Sequence, residues 1–280
     1  MHDFIMPSTD QTTNVMRIQR QTPWQIQKAV VFAVLIRELR TRFGRYRLGY
    51  LWAILEPISL IVILSAVRLL FGENEIAGLP FPVFFASGIT AYLLFNHITT
   101  SSLYAVESNQ GLFNYQRVKP FDVFFARALL ELLISTSTAA IILPALYCLG
   151  FHFTINNTLL LIAVVACLFS FSFGIGLIVG IVGPLWRESQ KIIPVLIRPF
   201  FFISGIFFAV GDVPENLQGL ALVNPLLQAT ELLREALFLN YQSHEGSLFV
   251  LFCWALFTLF LGLGFYRIMG KSLITSGKIR

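Results

Sequence analysis

The loops of this chain change charge in step with its apolar runs, and few folds permit that. Long apolar runs occupy roughly 48–71, 81–103, 123–149, 158–183, 194–210 and 247–269. About 20 helical residues cross the ~30 Å hydrocarbon core of a bilayer, and most of these runs reach that length. Ahead of the first run stand Arg17, Arg20, Lys28, Arg37, Arg40, Arg42, Arg45 and Arg47. The connection 72–80 carries Glu73 and Glu75 and neither Lys nor Arg. The next holds Arg117 and Lys119, 150–157 is uncharged, and the fifth holds Arg187 and Lys191. The segment 211–246 sets Asp212, Glu215, Glu231, Glu235 and Glu245 against one Arg234, and the tail has Arg267, Lys271, Lys278 and Arg280. Basic loops stay cytoplasmic, so alternate loops share a side. The expected fold is an all-α integral membrane protein of six transmembrane helices with both termini cytoplasmic.

A hydrophobic share of 56% against 12% charged residues excludes an ordinary soluble domain. The basic balance, pI about 9.3, sits on cytoplasmic flanks, where anionic headgroups rather than nucleic acid are the partner. Residues 1–23 lack the apolar core of a signal peptide and read as a flexible cytoplasmic tail, with a second tail at 271–280. Between them, 24–47 precedes a membrane domain spanning 48–270, which leaves no room for a soluble catalytic domain. Cys148, Cys167 and Cys253 fall inside apolar runs, without metal-ligand spacing or a disulfide framework.

Within 24–47, Phe32, Leu35, Ile36, Leu39 and Phe43 recur at helical spacing, while Arg37, Glu38, Arg42 and Arg45 lie off that stripe. Such a helix suits the membrane interface, its arginines toward phosphate, or the surface of a partner docked beneath it. Glu56–Pro57 and Arg68 are charges inside the first span, about 18 Å apart along a helix and unable to pair with each other. Glu56 has the arginines of 37–47 as candidate partners, and Arg68 is placed to snorkel. Gly174, Gly176, Gly180 and Gly183 give the fourth run a close-packing face without saying against what. The fifth run, opened by Pro194, Arg198 and Pro199, is short, and Asn224–Pro225 followed by Leu226, Leu227, Thr230, Leu233 and Leu237 reads as an outer-face amphipathic helix. A short span plus such a helix predicts a broken or re-entrant structure.

Motifs of catalysis fail on inspection. Gly264 to Ser272 resembles a P-loop with five residues between its glycines where four are needed, and Lys271 is better read as a positive-inside anchor. Asn156-Asn157-Thr158 fits a glycosylation acceptor, a very common triplet. His2, His97, His152 and His244 are scattered, and no His/Glu/Asp set has ligand spacing. No nucleophile has an evident base. No catalytic residue, metal site or cofactor is expected in the chain.

The segment Glu107 to Asp122 combines a short polar helix bearing an exposed Leu112 and Phe113 with a Lys119–Pro120 break, which suits insertion into a groove of a soluble partner. Here the sequence resembles a family. Arg37-Glu38-Leu39-Arg40-Thr41-Arg42-Phe43-Gly44, then Leu48-Gly49-Tyr50-Leu51-Trp52 through Glu56-Pro57, is similar to the start of type 2 ABC exporter permeases. Asn109-Gln110-Gly111-Leu112-Phe113-Asn114-Tyr115 through Val118-Lys119-Pro120, and Asn224-Pro225-Leu226 with Glu231 and Arg234, resemble the branch that exports bacterial capsular polysaccharide.

The resemblance implies a multi-pass permease of the bacterial inner membrane, a dimer with a second copy of itself, powered by two separate ABC ATPase subunits that hold the ATP and Mg. It implies an interface helix with Arg37, Arg40, Arg42 and Arg45. It implies a coupling segment at 105–120 including Glu107, Asn109, Gln110, Leu112, Phe113, Val118, Lys119 and Pro120. It implies gate helices within 211–246, on the periplasmic side before the last span, with Asn224, Pro225, Glu231 and Arg234. The cargo would be a lipid-linked polysaccharide handed to periplasmic and outer-membrane export proteins. O-antigen or teichoic acid export is the alternative within the same architecture. Sugar C–H faces stack on aromatic rings, so Tyr50, Trp52, Phe200, Phe201 and Phe202 are the candidate channel lining.

Overall fold

The computed structural model describes residues 22–43, 49–72, 75–114, 118–151, 153–241 and 246–276. Expectations for the tail 1–21, for Arg45, for the Tyr50 side chain and for the basic residues from Lys271 onward lie outside the described residues. Helices α1 (Pro23–Phe43) and α2 (Gly49–Leu70) come first. A two-stranded antiparallel hairpin, β1 (Glu75–Ile76) and β2 (Leu79–Pro80), follows, with Ala77 and Gly78 both at positive φ in its turn. Then come α3 (Phe81–Leu103), α4 (Ala105–Ser108), α5 (Pro120–Cys148), α6 (Thr158–Leu185), α7 (Ser189–Ile203), α8 (Glu215–Ala221), α9 (Pro225–Leu237) and α10 (Leu248–Ser276).

Local chemistry explains the starts. Asp122 Oδ2 accepts from the Lys119 N–H at 2.9 Å beside Pro120 at the first position of α5. Asn157 and Asn224 cap α6 and α9, accepting from Leu160 N and Leu226 N, each at 3.0 Å. Thr22 and Gln25 bond reciprocally at the head of α1.

Among the described residues, five helices are long and apolar enough to cross a membrane: Leu51–Leu70, Phe81–Leu103, Pro120–Cys148, Thr158–Leu185 and Leu248–Gly270. The run 194–210 does not give a sixth of that length. It contributes to α7, whose 15 residues rise only about 22 Å. Pro194 and Pro199 each remove a backbone donor. The chain then turns at Ser204–Gly205, where Gly205 sits at φ +71° and a Cβ would lie 2.3 Å from Leu227 Cδ1.

Short as it is, α7 runs antiparallel along the C-terminal half of α3. The Tyr104 hydroxyl donates to Gln190 O at 3.2 Å. Phe95 then meets Phe200 (ring centroids 6.1 Å apart) and Tyr92 meets Phe201 (5.2 Å). Beyond the turn, Phe85 meets Phe207 at 5.6 Å.

Helix α3 is the axis of the bundle, with 78% of its apolar window buried against 11% for α2, which rides on the outside. The glycine face of α6 meets three helices. A Cβ on Gly174 would stand 2.4 Å from the Thr258 carbonyl carbon of α10, and one on Gly262 2.6 Å from Gly174 O. A Cβ on Gly180 would stand 2.3 Å from a Phe124 ring carbon, and one on Gly183 2.7 Å from Leu103 O. Backbone contact therefore welds α6 to α10 and α3, while α5 closes on Gly180 through the Phe124 ring.

Candidate functional site

At the end of the bundle where α1 lies, the helix packs along α5 through Val30, Val31, Val34 and Leu35. Phe32, expected on the apolar stripe, is exposed, and Glu38, expected off it, turns inward. Polar partners explain the rotation. Glu38 Oε1 accepts from Asn109 Nδ2 at 2.6 Å and from Arg127 Nη2 at 3.0 Å. Arg37 Nη1 donates to Asn109 Oδ1 at 2.5 Å. Arg127 also donates to Ser108 Oγ at 2.6 Å and Ser101 O at 2.7 Å. Asn109 is only 1% exposed, and both ends of its amide are used by α1. Gln27 of α1 donates to Asp122 at the start of α5.

The network continues inward. Arg42 is ion-paired to Glu131 of α5, whose carboxylate is buried. The imidazole of His97 stands between two carboxylates, Nε2 3.6 Å from Glu56 and Nδ1 3.9 Å from Glu131. Glu38, Arg42, His97, Arg127 and Glu131 line a cavity of about 400 Å³. A line of polar contacts thus runs from segment 105–120 through α1 and α5 to α3 and α2. Glu56 finds His97 as its close partner, and the charge of Arg42 also acts on it. Linear spacing concealed this, because His97 lies far in sequence from both acids.

Of the residues expected for coupling, Asn109 and Pro120 are buried, Gln110 and Lys119 exposed, and Glu107 half-buried. Leu112 and Phe113, expected exposed, are half-buried against the core. A single 3₁₀ turn over Gln110–Asn114, with Leu112 N–H bonded to Asn109 O at 2.9 Å, folds them back on the bundle. Arg40 is exposed on the open face of α1.

At the opposite end, α9 is enclosed rather than laid on a surface: apart from Glu235, every residue from Pro225 to Leu237 is buried. Its polar side chains find protein partners, so both faces can be buried. Gln228 accepts from Ser247 N–H at 2.7 Å and donates to Leu222 O at 2.8 Å. Arg234, 0% exposed, lies 3.4 Å from the centroid of the Phe84 ring. It donates to Gly205 O (2.6 Å), Ser87 Oγ (3.3 Å) and Glu231 Oε1 (3.3 Å). Gly88 leaves the guanidinium its space, since a Cβ there would be 2.9 Å from Nη2. Tyr241 donates to Glu231 Oε2 at 2.6 Å; burial first, then the Glu231 charge, pushes its phenol pKa up, so it remains a donor. Asn224 Nδ2 holds Ile203 O at 2.8 Å and Thr230 Oγ1 holds Ser204 O at 2.8 Å. The residues named as a gate therefore converge on the end of α7.

The expected lining residues divide. Trp52 and Phe202 are 70% and 64% exposed, whereas Phe200 and Phe201 pack toward α3. Arg68, near the C-terminal end of α2, has its guanidinium 4.9 Å from the centroid of the Phe81 ring.

Comparison with known proteins places this geometry. The ABC-2 type transporter family matches residues 29–238. The chain is 41% identical to the polysialic acid transport protein KpsM of Escherichia coli over 90% of its own length and 98% of that protein's. It is 27% identical to the capsule polysaccharide export inner-membrane protein CtrC of Neisseria meningitidis serogroup A, over 85% of this chain and 90% of CtrC. It is 25% identical to the capsule polysaccharide export inner-membrane protein BexB of Haemophilus influenzae, over 76% of this chain and 80% of BexB.

Proposed function

The chain belongs to the ABC-2 type transporter family, and from that premise we propose that it forms the channel of an ATP-driven exporter moving capsular polysaccharide from cytoplasm to periplasm. It is a membrane permease with five apolar spans, homologous to inner-membrane capsule export proteins. The relatives' names favour a capsular cargo, lipid-linked and passed on to periplasmic and outer-membrane export proteins. Two copies assemble around the path, and two ATPase subunits supply ATP hydrolysis with Mg. The antiparallel course of α7 beside α3 supports a sixth crossing, completed by the turn at Gly205 and the enclosed α9. With six crossings, both termini face the cytoplasm and α9 lies at the periplasmic exit.

One observation carries the coupling mechanism: Asn109, within segment 105–120, is bonded by side chain to Arg37 and Glu38 of α1. A partner that moves this segment also pulls α1, and through Glu38–Arg127 and Arg42–Glu131 it pulls α5. His97 then carries the displacement to Glu56 of α2. Exposed α2 and α7 faces from two copies make the channel wall, with Trp52 and Phe202 as stacking surfaces for sugars.

Asn109→Ala removes both charge-assisted links. It is expected to lower export per ATP hydrolysed on the order of tenfold, about 1.4 kcal/mol of coupling, with partner binding and ATPase activity retained. Surface glycan measured against ATP turnover in the purified complex checks this. Unchanged export per ATP would remove segment 105–120 from the coupling path. An O-antigen or teichoic acid exporter would give the same coupling result and is separated by which glycan fails to reach the surface.

A further inference from the structure

Helices α5 and α6 are held together near one end, where the Phe124 ring closes on Gly180. Further along α5, small side chains take over. Ser135, Ala139 and Ala140 border a cavity of about 690 Å³, backed by Leu94 of α3 and Leu168 of α6, both buried. From Ser135 to Cys148 its wall follows one face of α5 for about 20 Å. That is comparable to one leaflet, half of a ~30 Å hydrocarbon core. Leu233 and Leu237 of α9 also line it, which puts it in the half of the bundle away from α1. Its mouth lies on the surface that spanning helices turn to lipid. Tyr147 and Ile155 of the lining are exposed, as are Ile141 of α5 and Ile162 of α6.

The size and chemistry of the cavity select its occupant. A buried water needs about 2–4 polar partners. The hydroxyls here spend their protons on their own helices: Ser87 donates to Phe84 O at 2.8 Å, Thr90 to Ala86 O at 3.0 Å and Thr136 to Leu132 O at 2.8 Å. An empty void would forfeit dispersion contacts over the whole lining. A helix from a second copy, 10 Å across, would need about 1,600 Å³ over the same length, more than twice the space. A methylene takes about 30 Å³, the share of a water molecule in the liquid, so the cavity holds on the order of twenty. We propose that it holds one acyl chain of a phospholipid from the leaflet away from α1, resident in the protein rather than carried by it. Lipid tails are as apolar as leucine, so the drive is the filling of space and not escape from water. The chain closes the gap between α5 and α6 and supports Leu233 and Leu237, which keeps α9 in its enclosed position. This needs only the membrane location of the protein, and the site stands apart from the α2 and α7 faces assigned to the channel.

The test uses the full chain, in the assembly in which it purifies, reconstituted in nanodiscs of phosphatidylethanolamine and phosphatidylglycerol. A trace of the phosphatidylethanolamine carries a diazirine midway along one acyl chain. After illumination, crosslinks are mapped by peptide mass spectrometry. Ala139, Leu161 and Val165 are expected to be labelled on the order of tenfold more per residue than the exposed Phe257 and Phe260 of α10, which meet only passing lipid. Ala139→Phe fills the cavity and is expected to bring that ratio near one, with labelling of α10 unchanged. If this variant fails to assemble, Ala140→Leu, at the exposed rim, is expected to lower the ratio in the same direction. Native mass spectrometry of the detergent-extracted protein should find one phospholipid kept per copy in the wild type and none in Ala139→Phe. Equal labelling of the cavity and α10, or labelling undiminished in both filled variants, overturns the proposal. A disulfide between copies through Ala140→Cys, with Cys148, Cys167 and Cys253 replaced, would show that a second copy covers the site and overturns it too. Labelling is expected to be the same with and without ATP; a ratio that collapses when ATP is added would make the lipid a transported one and contradict its residence.

Discussion

Gly174→Leu and Gly180→Leu are expected to leave almost no assembled permease in the membrane. At Gly174 the new Cβ meets the Thr258 carbonyl carbon at 2.4 Å and Leu259 N at 2.6 Å, backbone atoms of α10 that no rotamer change can move. At Gly180 it meets the Phe124 ring at 2.3 Å and Ser102 O at 2.9 Å. Each clash needs α6 to part from a neighbour along its length. Overpacking in a core ordinarily costs about 1–3 kcal/mol, and contacts with backbone fall at or above that range. Gly264, with nothing within 4 Å of a Cβ, supplies the control. Gly264→Ala should be neutral or slightly stabilising, since alanine is the better helix former. Membrane-fraction yield and size-exclusion profile of the three variants distinguish a packing defect from a general intolerance of glycine replacement.

Arg234→Leu is the second large effect. It strands Glu231, 3% exposed, and removes the grip on Gly205 O at the end of α7. Breaking a buried ion pair from one side costs about 3–5 kcal/mol, whereas replacing both charges is often close to neutral. Arg234→Leu should lower the thermal midpoint and expose the 211–241 segment to protease. Arg234→Leu combined with Glu231→Leu should recover much of the midpoint, though with Tyr241 left without its acceptor. If the single variant is as stable as wild type, Arg234 is not the clamp between α9, α3 and α7.

Local signals and long-range contacts were legible to different degrees. The apolar run 81–103 coincides with α3, 158–183 with nearly all of α6, and Asn224–Pro225 marks the start of α9, because hydrophobic length and capping chemistry are written in adjacent residues. The glycines of α6 announced a close approach but not its partners, Thr258 and Phe124, which only the fold brings near. The enclosure of α9 was hidden for a related reason. Its polar face looks solvent-directed until Ser247, Ser87, Gly205 and Tyr241 arrive to satisfy it. His97 looked like a scattered histidine, and its two carboxylates come from α2 and α5. The run 194–210 shows what length alone leaves open: α7 continues through Pro194 and Pro199, and only the turn at Ser204–Gly205 ends the helix within the apolar stretch.

That this chain carries capsular polysaccharide outward is tested most directly by deleting its gene in the host and fractionating the cells for glycan. Capsular polymer accumulating inside, with surface O-antigen intact, is the predicted result. An unchanged amount of capsule at the surface would contradict it.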